Sequence, residues 1–383
     1  MRAAQILALL SGIACTTAPA MAENLNLKDG RHWITVASSQ DKDQAIGIAR
    51  LYGKDARVVS SLSGWFGVAL GPVKDKSLAA FVKRWEGWPE IPKDAVFSNG
   101  AKYTGTVWQP DLSVLEAAEF SPGKPATVSH DGYAVTATLA KDDNGQIATL
   151  EGTHGADSLF QLSTPKDEYG DYGNTLRLMP LDPETPAPEA ILTQNTGGAH
   201  CCVATWFASE TDPGKWQLLD SNMLDGEGYW LEDVDGDGSY ELMSVDNAFL
   251  YAFDSYAGSI GPLVISQLRG EEIEPVAKDD VWRARKQQEL AGLEYFATLE
   301  PDNWKANGFL AAWVAVKIQL GEGEEAWAKM LKSYDKASDF GPQICTSGET
   351  VENCPVENLK AVPFPEALAS FLEENHYLPV PHG

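Results

Sequence analysis

The feature that most constrains the fold is the change of hydrophobic period within residues 31–105. Apolar side chains alternate along several short stretches, as in half-buried strands, and recur at helical spacing in two stretches between them. The predicted order is strand, helix, strand, strand, helix, strand, which is a ferredoxin-like βαββαβ unit. Both helices of such a unit cover one face of the sheet and leave the other face free.

The remaining sequence divides into two further regions. Residues 108–278 contain short alternating stretches separated by turn pairs such as Asp143-Asn144-Gly145, which predict an antiparallel β domain. Residues 279–383 carry amphipathic helical stripes. The expected fold class is therefore multidomain α+β, with a ferredoxin-like domain, a central antiparallel β domain and a C-terminal α-helical region.

Charge and composition exclude some classes of function. The chain has 383 residues, with 55 Asp and Glu against 29 Lys and Arg, so its formal net charge is -26. A charge of this sign repels nucleic-acid phosphates and anionic lipids. We therefore expect a globular protein of two or three domains that does not bind nucleic acid.

The amino terminus has the pattern of an export signal. Arg2 precedes an apolar run and then small residues that end in Ala20-Met21-Ala22, which predicts a signal peptide over residues 1–22 and a periplasmic location. A lipid anchor at Cys15 and a short buried helix are the alternatives. No stretch approaches the roughly 18 apolar residues of a membrane span, so we expect no transmembrane segment.

Four cysteines remain after cleavage, an even number that is typical of oxidised, exported proteins. Cys345 and Cys354 flank a loop of turn-forming residues and are expected to form a disulfide. The neighbours Cys201 and Cys202 form either a vicinal disulfide or two free thiols. Catalysis by a thiol beside His200 is disfavoured, because adjacent residues on a strand point to opposite faces.

The sharpest motif is an acidic loop at residues 233–241. Three carboxylates occupy positions 1, 3 and 5 of the loop, a glycine permits the turn at position 6, and further oxygen ligands follow at positions 7 and 9. This donor set suits Ca²⁺ in a structural role. The predicted ligands are Asp233, Asp235, Asp237, Ser239 and Glu241. An acidic turn without an ion is the alternative.

The acidic loop departs from an EF-hand, since Ser244 stands at position 12 and β patterns flank the loop. It resembles the DxDxDG loops of integrin-type FG-GAP repeats, which join two strands. Those repeats form propellers of several blades, and the β domain is too short for a regular ring. We therefore expect a single calcium hairpin within a β-sandwich or an incomplete propeller.

The N-terminal domain also resembles a known family. The stretch from Trp33 through SGWFGVALGPV, which begins at Ser63, is similar to SPOR (sporulation-related repeat) domains. That family binds glycan strands of peptidoglycan on the sheet face that its helices leave free. On this sequence the resemblance implies glycan-binding roles for Trp33, Thr35 and Trp65. The alternative is that the tryptophans pack against the second domain.

These features lead to one functional expectation. No GxSxG, HExxH, P-loop or GxGxxG motif occurs in the sequence. The chain is expected to be a non-catalytic periplasmic protein that binds peptidoglycan through its SPOR-like domain. A scaffold or inhibitor that binds another envelope protein is the first alternative. A wall-active hydrolase with a carboxylate pair in the β domain is the second.

Overall fold

The computed structural model describes residues 25–87, 89–167, 173–198, 201–226 and 228–378. The predicted signal peptide and Cys15 lie outside the described residues. The described chain is a mixed α+β protein with several antiparallel sheets and a C-terminal helical region. Within these ranges, no helix combines the length and the apolar character needed to cross a membrane.

The N-terminal part is one antiparallel sheet with two helices. Its elements are β1 (His32–Ser39), α1 (Lys42–Leu51), β2 (Ala56–Ser61), β3 (Phe66–Val73), α2 (Leu78–Arg84), β4 (Val96–Ser98) and β5 (Tyr103–Trp108). The strands lie in the order β4-β1-β3-β2-β5. Ile34, Val58 and Leu70 of the sheet share one core with Ile48 of α1 and Phe81 of α2, so both helices cover the same face.

The last strand of this region is split in two. β4 pairs with β1 at one edge of the sheet, whereas β5 pairs with β2 at the opposite edge. The chain reverses between them at Gly100, where φ is +76° and an added Cβ would overlap the carbonyl oxygen of Leu25. The sheet therefore has five strands instead of four.

The middle of the chain forms three antiparallel sheets. The strands of this region are β6 (Ala118–Phe120), β7 (Ala126–His130), β8 (Tyr133–Asp142), β9 (Gly145–His154), β10 (Asp157–Ser163), β11 (Asn174–Met179), β12 (Glu189–Asn195), β13 (Cys201–Asp212), β14 (Lys215–Asp225), β15 (Trp230–Glu232), β16 (Glu241–Val245), β17 (Leu263–Arg269) and β18 (Glu272–Pro275). The sheet orders are β10-β9-β8-β7, β14-β13-β12-β11-β6 and β15-β16-β17-β18.

The second of these sheets is buried on both faces. Leu176 and Leu192 point toward the first sheet and share a core with its Val135 and Leu150. On the other face, Ile191 and Phe207 pack against Leu231, Leu242 and Leu268 of the third sheet. Alternation along β11 and β12 supplies both sets of side chains, as expected for strands between two layers.

The C-terminal region is helical, with one short hairpin. Its elements are α3 (Asp280–Leu299), α4 (Asn307–Gln319), α5 (Gly323–Ser333), β19 (Gln343–Cys345), β20 (Leu359–Ala361) and α6 (Phe364–Glu374). Residues 307–316 of α4 are all buried, so the other helices surround it. Phe249 and Phe253 complete this core by packing against Phe371 of α6, at ring distances of 4.8 and 5.2 Å. The β domain and the helical region thus share one core.

Helix α3 lies between the third sheet and α1. On one side, Trp282 packs against Met243 and Ile265 of that sheet. On the other side, α1 approaches so closely that a Cβ added at Gly47 would overlap the carbonyl oxygen of Gln288. A Cβ added at Gly292 would lie 3.2 Å from the carbonyl oxygen of Gly47. The N-terminal part therefore docks onto α3 through its helix layer.

Candidate functional site

The free face of the N-terminal sheet is partly covered by the chain that precedes it. Trp33 is only 1% exposed, and its Nε1 donates a hydrogen bond of 2.9 Å to the carbonyl oxygen of Leu25. Leu25 and Leu27 pack with Trp33, Val59 and Ala69 in a small core on this face. The expectation that Trp33 is an open stacking platform is therefore wrong, because the N-terminal segment buries its ring.

The other half of the same face remains accessible. Thr35 Oγ1 lies 2.7 Å from the hydroxyl oxygen of Tyr103, and both side chains are half-buried. Gly67 lies between Thr35 and Val59, so the sheet surface is flat there. Trp65, two residues earlier in the chain, is 42% exposed. No local sequence pattern identifies Tyr103, because its place on this face depends on the unexpected strand β5.

The acidic loop connects β15 to β16, which pair as a hairpin. Carboxylate oxygens of Asp233, Asp235 and Asp237 all lie within 4.8 Å of one another. Backbone amides hold these side chains inward: Asp233 accepts from Gly236 N at 2.7 Å, and Asp237 accepts from Ser239 N at 2.8 Å. The loop therefore concentrates negative charge at a single point.

The fifth predicted ligand is more deeply buried than the three clustered carboxylates. Glu241 is buried, and its Oε2 accepts a hydrogen bond of 2.7 Å from Val234 N. Burial raises the pKa of Glu241 to about 7, and the negative charges of Asp235 and Asp233 add to the increase. The hydroxyl and amide of Ser239 have the opposite effect on Asp237, whose pKa they lower. Glu241 thus binds a proton more readily than Asp237 does.

A buried charge cluster lies directly beside the acidic loop. Glu232 precedes Asp233 and forms ion pairs with Arg50 of α1 and Arg285 of α3. The two arginines lower the pKa of Glu232, although burial alone would raise it. Sequence reasoning missed this cluster, since its members lie far apart in the chain.

The cysteines form two pairs. Cys345 and Cys354 are joined through their sulfur atoms, the pairing that the sequence predicts, and their Cα atoms lie 5.7 Å apart. Cys201 and Cys202 are joined as a vicinal pair across a cis peptide bond. His200 lies outside the described residues. All four described cysteines are thus engaged, so none offers a free thiol as a nucleophile.

Comparison with known proteins identifies a matching family model and two relatives of this chain. The family model described as the sll0997 C-terminal domain matches residues 285–376. The "Probable thylakoid lumen protein sll0997" of Synechocystis sp. is 32% identical over 253 residues, which cover 65% of this chain and 70% of the relative. This chain belongs to the sll0997 family. No solved structure matches it.

A second relative aligns with nearly the full length of this member of the sll0997 family. The "Uncharacterized protein y4bJ" of Sinorhizobium fredii is 37% identical over 382 residues, which cover 97% of this chain. The chain spans about 60% of the length of that relative. The sll0997 family match begins within α3 and ends just after α6, so it contains the helical core.

Proposed function

We propose that the chain is an exported, non-catalytic envelope protein whose N-terminal domain is a ferredoxin-like, SPOR-type module that binds peptidoglycan glycan strands. The order β4-β1-β3-β2, with two helices on one face, supports this classification. Export to the periplasm is supported by the relative described as a probable thylakoid lumen protein, since the lumen is reached by transport across a membrane. Two paired sets of cysteines agree with an oxidising compartment.

The main support for the proposal is the orientation of the N-terminal part, which docks onto α3 with its helix layer and leaves the opposite sheet face free. Its helix layer packs against α3, where Gly47 and Gly292 bring the two backbones together. A ligand as large as a glycan strand cannot reach the part of that layer that α3 covers. The opposite face remains available, and it presents the indole of Trp65 and the hydroxyl groups of Thr35 and Tyr103.

These three side chains have the chemistry that a sugar requires. An indole face carries partial negative charge and packs against the polarised C–H groups of a pyranose ring. Hydroxyl groups both donate and accept hydrogen bonds, so they pair with sugar hydroxyls and acetamido groups. In this arrangement Trp33 does not touch the ligand. It fixes the Leu25 segment that borders the binding surface.

Co-sedimentation with isolated peptidoglycan sacculi tests the proposal. The mature chain is mixed with sacculi, either intact or stripped of stem peptides, and the pelleted fraction is measured. Retention on both forms is expected, with a loss of about tenfold in affinity for Trp65→Ala. Phe340→Ala is the matched control, because Phe340 is similarly exposed in the C-terminal region. Absence of retention, or equal retention of Trp65→Ala and wild type, would overturn the proposal and favour a protein partner.

We also propose that the acidic loop binds a structural Ca²⁺ ion. The donor set supports this, since it consists of carboxylate oxygens together with the Ser239 carbonyl group, which are the hard ligands that Ca²⁺ prefers. Three carboxylates held close together repel one another, and a cation relieves that repulsion. Asp233, Asp235, Asp237, Ser239 and Glu241 would hold the ion and fix the β15–β16 hairpin.

A further inference from the structure

A cavity of about 910 Å³ lies between the N-terminal part and the β domain. Its floor is the end of the second sheet that the third sheet leaves uncovered. The floor side chains are Thr175 and Arg177 of β11 and Thr193 and Asn195 of β12. Trp108 at the end of β5 and Trp230 of β15 form walls. The volume lies in the range of pockets that bind small molecules.

Arg177 is the unusual residue of this cavity. Its Nε is buried and has no hydrogen-bond partner, and no ion pair forms to its guanidinium group among the described residues. The loss of water around this group lowers its pKa. Leaving a desolvated donor of a charged group unpaired costs free energy. An anionic ligand that reaches Arg177 removes this cost, because a guanidinium group binds a carboxylate through two parallel hydrogen bonds.

Within the described residues, the other charged groups of the cavity have partners, except Lys54, which is exposed to water. Arg50 and Glu232 neutralise each other. The Oδ2 atom of Asp111 accepts a hydrogen bond of 2.7 Å from the hydroxyl group of Tyr240. The carboxylate of Asp233 accepts from the backbone of its own loop. Arg177 is therefore the group on the floor that attracts an anion, despite the acidic net charge of the chain.

The two tryptophans add flat apolar surfaces, against which the C–H groups of a sugar ring can pack. Trp230 is 42% exposed, and the guanidinium carbon of Arg50 lies 5.0 Å from the ring centre of Trp108. Both indoles also line a smaller adjoining cavity of about 260 Å³, so the space continues past them. The floor hydroxyl and amide groups of Thr175, Thr193 and Asn195 face the same space as these rings.

We propose that this cavity is a second ligand site, which binds an acidic oligosaccharide. Arg177 pairs with a carboxylate of the sugar, Trp108 and Trp230 pack against pyranose rings, and Thr175, Thr193 and Asn195 bind hydroxyl groups. A single carboxylate pairs with the cation on the cavity floor, and a disaccharide fits the volume. The site is separate from the free face of the N-terminal sheet, since Arg50 of α1, in the helix layer on the opposite face, lines it.

Calorimetric titration of the full chain tests this site with two matched probes, cellobiouronic acid and cellobiose. They differ only in a carboxylate that replaces a hydroxymethyl group. Wild type is expected to bind the acid at least about tenfold more tightly than the neutral sugar. Arg177→Gln should abolish this difference, whereas Arg177→Lys should keep part of it. Trp230→Ala should weaken both sugars. Equal affinities of wild type for the two probes, or no binding of either, would overturn the proposal.

Trp65→Ala separates the two sites. This variant should bind cellobiouronic acid as tightly as wild type does, while its affinity for sacculi falls by about tenfold. Loss of acid binding in Trp65→Ala would show that the sugar binds at the N-terminal sheet, which would overturn the cavity proposal. Thermal melting of Arg177→Gln checks that the variant is folded; retained acid preference in a folded Arg177→Gln would exclude Arg177 as the carboxylate partner.

Discussion

Arg285 of α3 donates a hydrogen bond of 3.2 Å from its Nε to Oε2 of Glu232, the residue that ends β15. The other oxygen of the same carboxylate binds Arg50 of α1. One side chain of the β domain thus joins the N-terminal helix layer and the C-terminal helical region. Gln288 reinforces the contact, since its Oε1 accepts from Arg50 at 3.0 Å and its Nε2 donates to Asp43 at 2.9 Å.

Glu232→Gln is expected to destabilise the fold strongly. The substitution leaves Arg50 and Arg285 close together with no compensating charge, and breaking a buried pair in this way costs about 3–5 kcal/mol. Urea denaturation measures the loss. Glu184→Gln is the control, because Glu184 is exposed and its ion pair with Arg269 is long, at 3.9 Å. Such a surface ion pair contributes little to stability. Similar unfolding free energies for the two variants would contradict a stabilising role of the cluster.

Acid should weaken the same cluster. The two arginines lower the pKa of Glu232 in the folded state. Its contribution to stability is therefore complete above the unfolded-state value and is lost as pH falls through the folded-state value. A plot of unfolding free energy against pH should fall below about pH 4.5 in wild type. Glu232→Gln should flatten that part of the curve.

Glu189 should produce a pH dependence of opposite sign. This carboxyl group is completely buried, and it accepts from the Leu181 amide at 2.7 Å and the Thr185 hydroxyl at 3.1 Å. Burial raises its pKa to about 7, from an ordinary value of 4.5. The folded state then binds more protons than the unfolded state between these values. Stability should therefore decrease by about 3 kcal/mol as pH rises from 4.5 to above 7.

Glu189→Gln removes this ionisable group and keeps hydrogen-bonding capacity. The variant should be more stable than wild type at pH 8 and closer to it at pH 5. Glu357→Gln, at an exposed position, is the control. An unchanged difference between wild type and Glu189→Gln at the two pH values would show that Glu189 stays ionised when buried.

Gly47→Ala should destabilise the chain even though alanine favours helices by about 1 kcal/mol over glycine. The added methyl group overlaps the carbonyl oxygen of Gln288, so α1 must move away from α3. Thermal and urea unfolding measure the effect. Gly105→Ala is the control, since its Cβ would lie 3.7 Å from Ser60 Oγ, an ordinary contact. A gain in stability for Gly47→Ala would contradict the close helix crossing.

Calcium should raise the melting temperature of wild type by several degrees through preferential binding to the folded state. Asp235→Ala should lose this response, because Asp235 is one of the three clustered carboxylates. Asp302→Ala, at an exposed and distant position, should keep it. Calorimetric scans with calcium and with chelator make the comparison. Identical wild-type melting in both conditions would rule out the proposed ion.

Local features of this structure could be predicted from the sequence, and distant ones could not. The acidic loop lies within nine consecutive residues, so its spacing alone brings Asp233, Asp235 and Asp237 together. Both helices and the first three strands of residues 31–105 follow from hydrophobic period for the same reason, whereas the last predicted strand is divided into β4 and β5. Trp33 was misplaced because its cover, Leu25, belongs to a segment with no periodic pattern.

The two interdomain features depend on contacts between remote residues. Arg50 and Glu232 lie 182 positions apart, and no local signal identifies either as a partner of the other. The cavity is formed by β11, β12, β15 and the end of β5, none of which is unusual by itself. Arg177 looks like an ordinary outward residue of an alternating strand until the surrounding domains are in place.

The docking of α1 on α3 also affects how this chain matures. Arg50 and its partner Gln288 are separated by 238 residues, so α1 is synthesised long before the surface that will cover it. Contacts of such separation form late in folding, because a long loop must close first. During that interval the surface of α1 around Gly47, which α3 covers in the folded protein, is exposed to water. The N-terminal part therefore reaches its final environment only when the C-terminal helices are present.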